Sequence, residues 1–155
     1  MMRAANRDKR GLGFVTWATD YLNAWSSHDS EQIVSFMAPD ATYTDVALGQ
    51  AHRGRADIAA WIEHMVPEFS SNYSFEPVYE HVTDSAYVLE WVMKGTHDGS
   101  SPQLPASGRQ FAIHGASVGE LEGGVIRRNT DYWNMLEFLV QIGAMPEPAS
   151  AGGSA

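Results

Sequence analysis

A chain of 155 residues is the length of one domain and long enough to bury a core, and 44% hydrophobic with 19% charged residues is a globular composition. A formal net charge of -9 repels phosphate backbones, so nucleic acid is not an expected partner. No cysteine is present, which removes disulfide and thiol chemistry; no apolar run approaches ~20 residues and no apolar signal core is found, so the expectation is a soluble cytoplasmic protein without a membrane partner.

Residues 1–12 are polar and basic and residues 147–155 are small, so both read as flexible tails around a domain spanning 13–146. Within it, Phe14, Trp17, Ala18, Tyr21 and Trp25 recur at helical spacing and predict a helix over 13–28. Ser30 has the chemistry of an N-cap for a short second helix carrying Ile33, Val34, Phe36 and Met37, which Pro39-Asp40 should stop. A strand follows over 41–47, where the period of two puts Tyr43 and Asp45 on one face. Gly49 to Gly54 reads as a loop, and Ile58, Trp61, Ile62 and Met65 mark a third helix over about 55–67. Strands are predicted over 73–83 and 86–97, then over 109–121 and 125–134, the second pair joined by the hairpin signal Glu122-Gly123-Gly124. Between the pairs, Asp98 to Gly108 is long for a hairpin loop, and residues 135–143 read as a short closing helix. Helices followed by a run of strands predict an α+β class, with helices on one face of a curved sheet.

Three stretches carry a family resemblance. Glu90-Trp91-Val92-Met93-Lys94-Gly95-Thr96-His97-Asp98-Gly99, followed by Leu104-Pro105-Ala106-Ser107-Gly108-Arg109, resembles a stretch of the SnoaL-like polyketide cyclases, relatives of the ketosteroid isomerases. Gly124-Val125-Ile126, Asp131-Tyr132-Trp133-Asn134 and Gln141-Ile142-Gly143 resemble their closing strand and helix, with Asn134 where an aspartate is common. Ala41-Thr42-Tyr43-Thr44-Asp45 and Arg53-Gly54-Arg55-Ala56-Asp57-Ile58 form a more diffuse third match. The resemblance implies the cone-shaped α+β barrel of the nuclear transport factor 2-like fold, three N-terminal helices on a curved, mostly antiparallel sheet. It does not name a substrate, because this fold hosts many chemistries.

Removing a proton next to a carbonyl takes a carboxylate base in an apolar pocket and a donor for the enolate oxygen. Asp131 lies within a predicted strand with Asn129 and Trp133 on its face, and by resemblance stands at the catalytic aspartate of the cyclases. The alternative for it is a rim aspartate paired with Arg127 or Arg128. By resemblance, Asp45 stands at the isomerases' base and Tyr21 at their oxyanion tyrosine, while Ser117 falls near their second oxyanion acid and is a weaker donor. The alternatives are a strand-end residue shaping the loop to Gly49 for Asp45, and a core tyrosine bonded to a backbone carbonyl for Tyr21. Trp17, Trp25, Tyr43, Trp61, Trp91, Phe111 and Trp133 are wide enough to fill a core or to wall a pocket for a small apolar or polycyclic ligand. His97 and His114 could orient such a ligand or shuttle a proton, or be bonded within the hairpin. No histidine spacing matches a metal motif, so neither metal nor other cofactor is expected.

The reading is a cofactor-independent enzyme. It would be a cyclase closing a polyketide by intramolecular aldol chemistry with Asp131 as base, or a double-bond isomerase using Tyr21 and Asp45. A limonene-type epoxide hydrolase needs an arginine and a second aspartate on a neighbouring strand, and residues 86–94 contain neither. The non-enzymatic alternative is a ligand-binding or accessory module. Apolar residues on both alternations of 86–93 predict a homodimer through the outer sheet face.

Overall fold

The computed structural model describes residues 6–7 and 14–149, with side chains from 16 onward; the remainder of both predicted tails lies outside the described residues. Two short strands, β1 (Asn6–Arg7) and β2 (Phe14–Val15), pair as an antiparallel ribbon, so chain predicted as tail and as first helical turn is extended. Helix α1 (Trp17–Ser26) starts only after Thr16, whose side chain accepts a bond from the Thr19 N–H. It ends where His28 turns left-handed at φ 63°, a conformation held by the 2.7 Å bond from His28 Nε2 to the Tyr73 carbonyl.

Helix α2 (Ser30–Val34) is capped by Asp29, not by Ser30: Asp29 Oδ1 accepts from the N–H groups of Glu31 and Gln32, while Ser30 Oγ donates to Glu63. The strand after it, β3 (Met37–Asp45), runs straight through Pro39. Proline is tolerated there because the register of β3 slips between Met37 and Thr42, so no ladder bond is asked of its nitrogen. The predicted loop before Gly54 contains a strand, β4 (Gln50–Arg53), hydrogen-bonded to β3. It had no alternating apolar residues to signal it, being an edge strand with largely exposed side chains. The third helix divides into α3 (Arg55–Glu63) and α4 (Met65–Glu68), with Pro67 inside the short second piece.

The remaining elements match the periodicity closely. They are β5 (Ser74–Val82), β6 (Ala86–Thr96), β7 (Gln110–Glu122), β8 (Val125–Trp133) and α5 (Met135–Gln141). Gly123 and Gly124 sit at φ 60° and 81°, the left-handed pair that a two-residue hairpin of matching twist requires. The main sheet is a curved, open six-stranded array in the order β4-β3-β8-β7-β6-β5. Every pairing in it is antiparallel except β3 with β8, which run parallel.

Helices α1, α2 and α3 cover the concave face, burying Tyr21, Leu22, Trp25, Ile33, Ile58 and Ile62. On that face β7 alternates small residues: Gly115, Ser117 and Gly119 stand opposite Trp91, Leu89 and Tyr87 of β6. A Cβ at Gly115 would come within 2.2 Å of the Trp91 ring, and one at Gly119 within 2.2 Å of the Tyr87 ring. The glycines therefore let two large rings of one strand lie across its neighbour, which keeps the sheet concave and leaves space beneath the helices. No helix among the described residues is long and apolar enough to cross a membrane.

Candidate functional site

The space left between the helices and the concave sheet is a cavity of about 730 Å³. Trp25 from α1, Tyr43 and Asp45 from β3, Trp61 from α3, Trp91 from β6, and Asp131 and Trp133 from β8 all line it. The structure adds residues that the sequence reading passed over. Met93 continues the inward alternation of Trp91 on β6, and Phe75 of β5 and Ile113 of β7 are its register partners on the neighbouring strands. His52 and Gln50 come from the unrecognised β4, and Ser101, Gln103 and Leu104 from the long 98–108 loop.

Asp131 is the chemical centre of the floor. It is 8% exposed and accepts three side-chain bonds: from Ser117 Oγ (2.6 Å) and Asn129 Nδ2 (2.8 Å) on Oδ1, and from the Tyr43 hydroxyl on Oδ2. Behind these donors stand Trp91 Nε1, which donates to Ser117 Oγ at 3.0 Å, and the Tyr87 hydroxyl, which donates to Asn129 Oδ1 at 2.6 Å. Neither neighbouring arginine reaches it: Arg127 pairs with Asp40 and Glu122, and Arg128 with Glu120. Burial pushes the Asp131 carboxyl up to about 6, against the three bonds that favour its charged form, and the nearby Asp45 charge adds to the rise.

Asp45 lies beside it, because Asp45 and Asp131 are register partners in the parallel pair β3 and β8. Its carboxylate accepts from both the Trp133 indole (3.0 and 3.1 Å) and the Leu48 N–H (2.8 Å), so it also shapes the turn toward Gly49. Tyr43 is fully buried and its hydroxyl is pushed well above the ordinary tyrosine value, chiefly by burial and then by the Asp131 charge. It stays protonated and acts only as a donor.

Seven predicted site residues do not line the cavity. Tyr21 is buried behind it, stacked on Trp17 at 5.4 Å, and its hydroxyl has no hydrogen-bond partner among the described residues. Trp17 is half-buried between Tyr21, Phe36 and Tyr87. Ser117 and Asn129 are spent on holding Asp131 rather than ligand. Phe111 packs on Phe69 and Phe138, one layer out from the wall. His97 is a loop anchor: its carbonyl accepts from the N–H groups of Ser107 and Gly108, and its Nδ1 from the Ser107 N–H, which pins the end of the 98–108 loop. His114 points to the opposite, exposed face of β7, where it lies 3.5 Å from Glu137. The strand's period of two explains this last displacement, since 114 has the opposite parity to Ile113 and Ser117.

The raised carboxyl has a measurable consequence. Its folded value of about 6 exceeds the ordinary 3.8, so between those pH values the folded chain holds more protons than the unfolded one. This contribution therefore erodes stability as pH rises through about 4 to 6, and the penalty stands in full above that window, on the order of 2–3 kcal/mol. Asp131→Asn is expected to raise the urea midpoint at pH 8 and to match the wild type near pH 4. A variant less stable than the wild type at both pH values would show that the three donors, not burial, dominate.

The SnoaL-like domain family matches residues 18–129. No curated protein matches the sequence. Among solved structures, a hypothetical protein of ketosteroid isomerase-like fold from Catenulispora acidiphila, in complex with trimethylamine, superposes with a TM-score of 0.71 at 24% identity, covering 81% of this chain and 91% of its own. A proposed polyketide cyclase from Xanthomonas campestris pv. campestris gives 0.72 at 23%, covering 81% and 93%. TsrD from Streptomyces laurentii gives 0.71 at 20%, covering 83% and 92%. At these identities the structures establish the fold alone, the ketosteroid isomerase-like one expected. The family match spans α1 through most of β8 and includes Tyr43, Asp45 and the small-residue face of β7, so the chain belongs to the SnoaL-like domain family.

Proposed function

We propose that this protein is a cofactor-independent cyclase or isomerase that removes a proton next to a carbonyl in a small apolar, polyketide- or steroid-like compound, with Asp131 as the base. The observation that carries the reading is a carboxylate inside an apolar cavity, pushed up to about 6 and without an arginine or lysine partner among the described residues. A base with a value near the working pH combines the right protonation state with the strongest drive for proton transfer. As Asp131 takes the proton, the C–H electron pair forms the enolate double bond and the carbonyl π pair moves onto the oxygen. The Tyr43 hydroxyl, bonded to Asp131 in the free protein, then loses an anionic acceptor and is free to donate to the new enolate oxygen. Tyr43 thus takes the donor role that resemblance gave to Tyr21, which lies behind the cavity wall. A cyclase would then add the enolate carbon to a second carbonyl of the same chain, and an isomerase would return the proton elsewhere.

The test is deuterium uptake from D2O at the carbon next to the carbonyl, in cyclic ketones and β-ketoesters first shown to raise the melting temperature. Uptake that depends on Asp131 supports the reading. Ligands that bind tightly but do not exchange would assign the cavity to binding alone, the accessory-module alternative.

The proposed assembly is a homodimer through the outer face of the sheet. Tyr79 of β5, Val88 of β6 and Tyr132 of β8 lie there, 56%, 38% and 51% exposed. A sheet covered by helices on one side leaves such a face in water unless a partner covers it. Sedimentation at micromolar concentration is expected to show the dimer mass, and Val88→Glu to reduce it to the monomer; a wild-type monomer overturns the assembly.

A further inference from the structure

The cavity has a charge imbalance that the proton-transfer reading does not use. Asp45 and Asp131 enter it side by side, 5% and 8% exposed, and among the described residues neither makes an ion pair. Their partners, Trp133, Leu48, Ser117, Asn129 and Tyr43, are hydrogen-bond donors that orient the carboxylates without supplying positive charge. Two more carboxylates, Asp57 and Glu68, border the same space, and no lysine or arginine among the described residues lines it. The histidines that do, His52 and His64, already lie 3.6 Å from Asp57 and 3.0 Å from Glu68. Carboxylates facing a cavity with low-dielectric walls focus a negative potential into it.

The walls next to the paired carboxylates are aromatic. Trp133 touches Asp45 and Tyr43 touches Asp131, and Tyr43 in turn packs between Trp25 and Trp61 at 5.7 and 5.2 Å. Indole and phenol rings present a negative face, which attracts an organic cation and does so more strongly when water is excluded. A hydrated metal ion gains little from such walls, since it asks for several oxygen ligands. An alkylammonium group gains from the rings and the carboxylates together, and its carbon substituents fill apolar space.

We propose that the cavity selects an apolar organic cation, a tertiary or quaternary ammonium group seated between Asp45, Asp131 and the surrounding tryptophan and tyrosine rings, and rejects carboxylates and phosphates. The inference rests on reading the cavity as the substrate site, and it narrows the substrate to a carbonyl compound that also carries a protonated or quaternary amine. Asp131 addresses the carbon acid, and Asp45 supplies the charge that holds the ammonium.

The experiment uses three unreactive probes of nearly one shape: phenyltrimethylammonium, its uncharged counterpart tert-butylbenzene, and the anion 4-tert-butylbenzoate. None has an enolisable carbonyl, so the outcome is independent of whether Asp131 acts as a base. By calorimetry or thermal shift on the full chain, the cation is expected to bind at least about tenfold more tightly than tert-butylbenzene, the size of one desolvated cation–π contact or one buried charge interaction. The benzoate is expected not to bind. Asp45→Asn keeps the acceptor for Trp133 and Leu48 and should cut the cation's preference over tert-butylbenzene severalfold, and Trp61→Leu should also weaken the cation more than tert-butylbenzene. Equal binding of the cation and tert-butylbenzene by the wild type, measurable binding of the benzoate, or a cation preference unchanged by Asp45→Asn overturns the proposal.

Discussion

Asp131→Asn is expected to lower turnover by about 10²–10⁴-fold while an uncharged carbonyl ligand binds nearly as before. Asparagine preserves the side chain's shape, and the Ser117 and Tyr43 hydroxyls can turn to satisfy it, so the floor of the cavity keeps its form. It cannot take a proton at neutral pH. The loss therefore falls on the chemical step and shows in kcat rather than KM. Asp45→Asn distinguishes Asp131 from Asp45 as the base: kcat stays close to the wild type if Asp131 takes the proton, and falls by a similar factor if Asp45 does. Tyr43→Phe provides the third arm, since it removes the donor to Asp131 and to the enolate without emptying the wall. Wild-type turnover in both aspartate variants excludes proton abstraction by either carboxylate.

Gly115→Val is expected to destabilise the fold by about 3 kcal/mol or more, at the upper end of what overpacking costs. The first added carbon already falls 2.2 Å from the Trp91 ring, which is 2% exposed and anchored by its indole bond to Ser117. The ring lines the cavity, so a shift away from the new side chain carries it toward that space. The variant should therefore lose stability in urea unfolding and also lose ligand-induced stabilisation, because Trp91 is pushed into the space the ligand needs and its hold on Ser117, and so on Asp131, is broken. A Gly115→Val protein with wild-type stability and ligand response would show that β7 can move away from β6, and that the glycine face is not what shapes the cavity.

The α+β class, the last four strands and the closing helix were legible because each has a strong local signal. Residues 86–93 are a run rich in β-branched and aromatic residues, Gly123-Gly124 suits a two-residue hairpin, and Trp17, Tyr21 and Trp25 fall on one helical stripe. Asp131 could be chosen as a site residue since a carboxylate at an inward position of a strand is costly unless it is used or paired. Local signals failed where the side chains carried no pattern. β4 has no apolar alternation and is held by its hairpin bonds to β3, and the helix caps fell to Thr16 and Asp29, away from the helix starts read in the sequence.

The site's membership was a tertiary matter. Periodicity says which residues share a face of one element, and it correctly grouped Tyr43 with Asp45 and Asn129 with Asp131 and Trp133. It says nothing about depth along that face, so Tyr21 and Trp17 proved to lie behind the wall that Trp25 forms. Nor does it say which strand will be a neighbour. The parallel pairing of β3 with β8 spans most of the chain, and it alone sets Asp45 beside Asp131 and the Tyr43 hydroxyl on the Asp131 carboxylate. The sequence contained both carboxylates and the aromatic residues. Their arrangement as one uncompensated pair in an aromatic cavity follows from a contact between strands that no local pattern encodes.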